Sequence, residues 1–207
     1  MHSSPPALII IDMQQGMASP AAGSRNNPAA ESQIATLLQA WRAAAATVVH
    51  VRHISRTPGS PFWPGQPGVE FQVALAPLPQ EHVVEKNIPD AFIQSGLERW
   101  LRVRSISKLV IVGVSTNNSV ESSARTAGNL GFDTQVVADA CFAFSQVDYA
   151  GSPRTADEVH AMALANLHGE YAQVVAAADV IGALCRSCPA PTHQIAAPAV
   201  ASTRHLP

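Results

Sequence analysis

Ala7-Leu8-Ile9-Ile10-Ile11-Asp12 is an unbroken apolar run, rich in β-branched residues, that stops at a carboxylate. A strand with one wet face alternates apolar and polar residues. A run without alternation fits a strand covered on both faces, as in a parallel sheet flanked by helices. Leu109-Val110-Ile111-Val112-Gly113-Val114 reads the same way, and shorter β-rich runs occupy 47–51, 82–86, 134–138 and 173–176. Between them the apolar residues fall at helical spacing. Ile34, Leu37, Leu38, Trp41 and Ala45 mark one helix over 31–46, and Leu97, Trp100 and Leu101 mark another. A third is expected over 119–130, with Gly131 as its C-cap. Thr155 and Glu158 form a capping box for a helix running to about residue 167, and a last helix ends near Leu184. Strands alternating with helices predict an α/β fold: a doubly wound, mainly parallel six-stranded sheet.

The 207 residues suit one domain, expected over 7–185, after a flexible 1–6 and before a Pro/Ala-rich tail, 186–207, expected to be disordered. Apolar residues make up 47% and charged residues 14%, the reverse of a disordered chain. No stretch approaches the roughly 18 apolar residues of a membrane span. Thirteen Lys and Arg against fifteen Asp and Glu give a net charge of −2, which recruits neither nucleic acid nor an anionic membrane. Residues 1–6 carry no basic segment ahead of a long apolar one, so a cytoplasmic protein is expected. Of the three cysteines, Cys185 and Cys188 form a lone C-x-x-C, readable as a redox pair or half a zinc site. With no second pair beside it, neither role is expected.

Ligands of open parallel sheets bind beyond the carboxyl ends of the strands. Three polar groups stand at such ends: Asp12, Lys86 and the segment 115–119. Taken singly, Asp12 reads equally well as a turn former, and Lys86 reads better as a solvated lysine. Asn118, with Glu121 three residues on, is an expected N-cap, which puts Ser119 at a helix N-terminus where free N–H groups favour negative charge.

Three ordered motifs shift those odds: Ala-Leu-Ile-Ile-Ile-Asp12-Met-Gln, Val-Val-Glu-Lys86 followed by Ala91-Phe92, and Gly113-Val-Ser-Thr-Asn-Asn-Ser119-Val-Glu-Ser-Ser-Ala-Arg125. Together with Gly131-Phe-Asp-Thr-Gln-Val-Val-Ala-Asp-Ala140 they resemble the isochorismatase-like hydrolases. This superfamily is also called the cysteine hydrolases and includes nicotinamidases and carbamoylsarcosine amidohydrolases. The resemblance runs from residue 7 to residue 184 and implies a six-stranded parallel sheet, a small-molecule substrate and a homodimer or larger homo-oligomer. It implies a triad in which Asp12 and Lys86 match the family's Asp and Lys, while Ser119 stands where the family has its nucleophilic Cys. It also implies an oxyanion hole from the amides of Ser115 and Ser119, behind a cis peptide between Val114 and Ser115.

A serine hydroxyl ionises far less easily than a thiol and needs a base in contact during attack, for which Asp12 is the candidate. Amide-type C–N cleavage is the activity expected. Two rivals stand beside it: vinyl-ether cleavage of the isochorismatase kind by Asp12 acting as an acid, and a silent binding protein. Isochorismatases typically carry Gly at the Ser119 position. Gln15, Trp63, Phe92, Asn117 and Phe144 are candidate pocket residues, the aromatics as walls of a small apolar cleft. His50-Val-Arg-His53 lacks the Asp-x-His pattern of nicotinamidase metal ligands, so no metal and no cofactor are expected. Arg125 is expected to pair with a carboxylate, Asp139 to be structural, and His160 and His168 to be surface or packing residues.

Overall fold

The computed structural model describes residues 5–187. The expectations for residues 1–4, for Cys188 and for nearly all of the tail lie outside the described residues. The chain runs β1 (Ala7–Ile11), α1 (Ala30–Ala43), β2 (Val48–His53), β3 (His82–Lys86), α2 (Leu97–Val103), β4 (Lys108–Val114) and α3 (Glu121–Asn129). It continues as β5 (Asp133–Phe142), β6 (Gln146–Val147), β7 (Pro153–Arg154), α4 (Ala156–Leu167), β8 (Gln173–Val175) and α5 (Ala177–Ser187). Six strands form one parallel sheet in the order β3-β2-β1-β4-β5-β8.

The apolar run that opens the chain does what period two requires of a central strand. Ala7, Ile9 and Ile11 join one core with Val49, Val51, Ile111 and the inner faces of α2 and α3. Leu8 and Ile10 join the other with Val110, Val112 and Ile34, Leu37, Leu38 and Trp41 of α1. All five β1 residues are buried. Connections run outward from β1 to β2 and β3, then resume from β4 to β5 and β8 on the other side. The order therefore reverses between β1 and β4, the crevice position at which open α/β sheets bind ligands. There β4 approaches β1 so closely that a Cβ on Gly113 (φ 123°) would lie 2.1 Å from the Ile11 carbonyl oxygen, so only glycine fits.

Three boundaries differ from the sequence reading. First, β5 is ten residues long, not the five of 134–138. Between the pairs Ile111–Val136 and Gly113–Cys141 it carries three more residues than β4. This bulge absorbs Asp139, which breaks the apolar pattern and whose Oδ1 instead accepts the Ala177 N–H at the start of α5. Second, Asn118 is not an N-cap. The chain leaves β4 in a wide π turn, Thr116–Val120, that feeds α3 without a side-chain cap, and Glu121 pairs with Arg125. Third, α5 continues to Ser187, past the expected boundary at 185. The β6–β7 hairpin was not expected at all; strands of two exposed residues leave no period to read. Among the described residues no helix is long and apolar enough to cross a membrane.

Away from the crevice, Glu81 ties α1, β2 and the approach to β3 together. Its carboxylate accepts from Arg42 Nε (2.7 Å) and Nη2 (2.8 Å), from the Leu78 amide (2.8 Å), and lies 2.9 Å from His50 Nε2. Burial pushes the Glu81 carboxyl up, but Arg42, the Leu78 amide and His50 outweigh it and hold it down at about 2. A depressed carboxylate stabilises the fold above its unfolded pKa and loses that contribution as the pH falls through its folded one. Glu81→Gln is therefore expected to cost about 2–4 kcal/mol at pH 7. Denaturant titrations of the two proteins should converge as the pH approaches about 2; a constant gap down to that pH would contradict the assignment.

Candidate active site

Asp12 follows β1 with φ 54°, a left-handed conformation that Asp tolerates better than most residues, and this turns the carboxylate out of the strand's alternation. Lys86 ends β3, two strands away in the sheet. Its butyl stem passes β2, where His53 is its register partner, and delivers the ammonium to the crevice. Ser119 comes from the π turn after β4. These positions are 74 and 33 residues apart in the chain, yet Lys86 Nζ donates to Asp12 Oδ2 at 2.7 Å and to Ser119 Oγ at 3.2 Å. The structure thus brings Asp12, Lys86 and Ser119 together.

All three are nearly inaccessible: Asp12 is 1% exposed, Lys86 4% and Ser119 6%. Two opposite charges taken out of water are tolerable only in contact, and here they are. Burial raises the Asp12 carboxyl above its ordinary value, against the opposing pull of Lys86, of the nearby Ser119 hydroxyl and of His53. Asp12 Oδ1 is buried and has no hydrogen-bond partner among the described residues, so one carboxylate oxygen is left for something else. Ser119 lies one residue inside the end of the turn. The Val114–Ser115 peptide is cis, and the Ser115 carbonyl accepts from the amides of Asn118 (3.1 Å) and Val120 (3.2 Å), which closes the turn.

The pocket candidates fare differently. Gln15 is a correction: its side chain is exposed and reaches only the Phe71 carbonyl at 3.4 Å. The inward residue is Gln14, fully buried, whose amide donates to the carbonyls of His53 (3.0 Å) and Val69 (2.8 Å) and accepts the His53 N–H (2.8 Å). Strand alternation could not separate the two glutamines, because Asp12 breaks the register just before them. Phe92 packs in the core beside Ile11 and Val120 and against Phe132, with ring centroids 5.8 Å apart. Phe144 stands edge-on to Phe142 and packs on the opposite core. Trp63 is half-buried in the Pro/Gly-rich segment 55–79 between β2 and β3, while its neighbour Phe62 meets the His53 ring edge-on at 6.0 Å. Asn117 lines a cavity of about 870 Å³ against α4 and donates to Gln146 at 3.3 Å.

His50 and His53, three residues apart in β2, face opposite sides of the sheet, as a two-residue period requires. His50 meets Glu81 and Phe71, whereas His53 lies on the Lys86 side, where burial and Lys86 hold its pKa down. Among the described residues no group of three or more His, Cys, Asp or Glu is arranged to hold a metal ion. Cys141 is no substitute nucleophile: it is buried in β5, and burial drives its thiol up to about 12. Arg125 pairs with Glu121 at 2.7 Å.

The family model for the isochorismatase domain matches residues 6–179. A solved structure of an isochorismatase-family protein from Chromobacterium violaceum aligns with a TM-score of 0.87 at 49% identity, covering 90% of this chain and 96% of its own. An isochorismatase family protein of Bacillus subtilis, YrdC, is 35% identical over 175 residues, 84% of this chain and 94% of its own. The ureidoacrylate amidohydrolase RutB of Azorhizobium caulinodans is 30% identical over 172 residues, 65% of this chain and 74% of its own. With its six-stranded parallel sheet and its crevice between β1 and β4, the chain belongs to the isochorismatase family of hydrolases.

Proposed function

We propose that the protein hydrolyses an amide-type C–N bond of a small molecule, with Ser119 as nucleophile, Asp12 as base and Lys86 as their electrostatic partner. The observation that carries this reading is the position of Lys86 Nζ, in hydrogen-bond contact with both the Asp12 carboxylate and the Ser119 hydroxyl. The amidohydrolase among the relatives supports the bond type.

In this reading Ser119 Oγ attacks the substrate carbonyl while its proton passes to Asp12. Burial makes that step easier than for an ordinary aspartate, since a raised pKa means a stronger base. Lys86 keeps the site neutral when the carboxylate is ionised and holds Ser119 Oγ against Asp12. The amides of Ser115 and Ser119 receive the negative oxygen, and removing one such donor typically costs about 3 kcal/mol of transition-state stabilisation. The carbon–nitrogen bond then breaks, and the leaving nitrogen takes the proton that Asp12 holds. Water, giving a proton to Asp12, attacks the acyl ester; the ester C–O bond breaks, Asp12 returns the proton to Ser119 Oγ, and the acid product leaves. Asp12 Oδ1, left without a partner, is the oxygen available to face the leaving group and the water.

The raised Asp12 pKa also favours a second reading, vinyl-ether cleavage with protonated Asp12 as the acid. The sign of the pH dependence separates the two. A base must be ionised, so amide hydrolysis is lost as the pH falls through the Asp12 pKa, and that acid limb lies above the range of an ordinary aspartate. An acid must be protonated, so vinyl-ether cleavage is lost as the pH rises through the same pKa. A screen of small amides and isochorismate with the unaltered protein, followed by a pH profile on the best substrate, reads this sign directly.

Substitution gives the companion test. Ser119→Ala is expected to lower amide kcat by about a thousandfold. Ser119→Cys should raise it tenfold or more, about 1.4 kcal/mol off the barrier, and Asp12→Asn in that background should remove the gain. Full activity in Ser119→Ala, or a Ser119→Cys protein that is silent across the amide panel, would reject Ser119 as nucleophile. Turnover of isochorismate by Ser119→Ala would instead establish Asp12 acid chemistry.

A further inference from the structure

The π turn that carries Ser119 has no capping side chain, yet its first residue, Thr116, is fully buried and not free to choose its orientation. Its hydroxyl lies 2.8 Å from Nδ1 of His160, on the second turn of α4. Its other nitrogen, Nε2, lies 3.4 Å from Asn27 Nδ2, which itself donates to the carbonyls of Ala138 (3.0 Å) and Cys141 (2.7 Å) at the bulge of β5. A hydroxyl both donates and accepts, so the Thr116 contact forms with either ring nitrogen protonated.

We infer that His160 is a positioning residue for Ser119. It acts through Thr116 to fix the π turn that sets the Ser119 hydroxyl and the amides of Ser115 and Ser119. This inference rests on the Ser119 reading above. The bulge, rather than any helix cap, is the fixed point to which the turn is referred. Extra residues in β5 displace the carbonyls of the Ala138 region from the β4 ladder, and Asn27 collects them, with Nε2 of His160 beside its Nδ2. Asn27, at φ 43°, brings the loop before α1 to the same carbonyls. His160 then passes that position across to Thr116, one residue from Ser115 and three from Ser119. His160 touches none of the reacting groups; its influence is on where they sit. Displacements of about 1 Å at such groups can cost a hundredfold in rate, so a buried contact of this kind is a kinetic asset beyond its packing.

Two substitutions separate positioning from packing. In His160→Asn the side-chain amide falls near the place of Nδ1 and still bonds to the Thr116 hydroxyl, while the reach to Asn27 is lost. In His160→Gln the side-chain amide falls near the place of Nε2 and still reaches Asn27, while Thr116 loses its partner. Thr116→Val removes the same bond from the other side with little change in volume. Each is made in the Ser119→Cys background, where the rate of iodoacetamide modification at position 119, mapped by peptide mass, reports the placement of the turn. Backbone hydrogen exchange over 115–120 reports its rigidity in the Ser119 protein, and melting temperatures check that every variant is folded.

His160→Gln and Thr116→Val are expected to slow modification at position 119 about tenfold and to speed exchange across the turn. His160→Asn should recover most of both losses, and combining Thr116→Val with His160→Gln should add little to either alone. Equal behaviour of His160→Asn and His160→Gln, or a Thr116→Val protein with unchanged modification and exchange, would overturn the inference. Neither readout needs a substrate, so a failure of the amide-hydrolysis reading would leave this comparison intact and separately decidable.

Discussion

Lys86 places a full positive charge in the interior of a parallel α/β domain, and its contact with Asp12 at 2.7 Å is the interaction on which the rest of the site depends. Neither charge could stay ionised there alone; an isolated buried ion would shift its pKa and neutralise. The pair in turn constrains the fold. The end of β3 must lie close enough for a lysine stem to pass β2, and β1 must end in a conformation that turns its next side chain inward, which Asp12 supplies at φ 54°. On the other wall β4 must approach β1 with nothing larger than Gly113 between them. Ser119 completes the arrangement by accepting a hydrogen bond from the same ammonium.

What surrounds this contact is a set of clamps, each a buried or half-buried polar side chain closing a loop. Gln14 uses both ends of its amide to hold the end of β2 and the Val69 turn. Asn26 Oδ1 accepts the Ala143 amide at 2.8 Å, and Asn27 holds the bulge of β5. Thr116 and His160 hold the turn itself. Buried polar groups of this kind are tolerable only when satisfied. The Asp12 Oδ1 atom stands out against that background as an oxygen without a partner among the described residues.

Much of this was legible from residue order. The uninterrupted run of 7–11 implied a strand covered on both faces, and the cores on either side of β1 bear that out. Strand ends located Asp12, Lys86 and the 115–119 segment before any resemblance was invoked. Side-chain direction past a strand end was not legible. Period two holds only while the chain stays extended, and Asp12 leaves it, so Gln15 was expected to face inward where Gln14 does. The π turn was hidden for a related reason: Asn118 and Glu121 have the spacing of a capping pair, but Glu121 is drawn to Arg125 one turn on. The bulge in β5 was invisible because it is a property of two strands in register. His160 could be read as no more than a packing residue until the fold set its ring against the Thr116 hydroxyl.

In the amide-hydrolysis reading, the buried lysine bridge makes Ser119 an acyl acceptor. Intact-protein mass spectrometry after brief exposure to an activated acyl ester, with peptide mapping of any adduct, is the decisive test. A single acyl group on Ser119 is expected, formed rapidly in the unaltered protein and lost on Asp12→Asn. An unacylated protein, or an adduct on another residue that persists in Ser119→Ala, would contradict it.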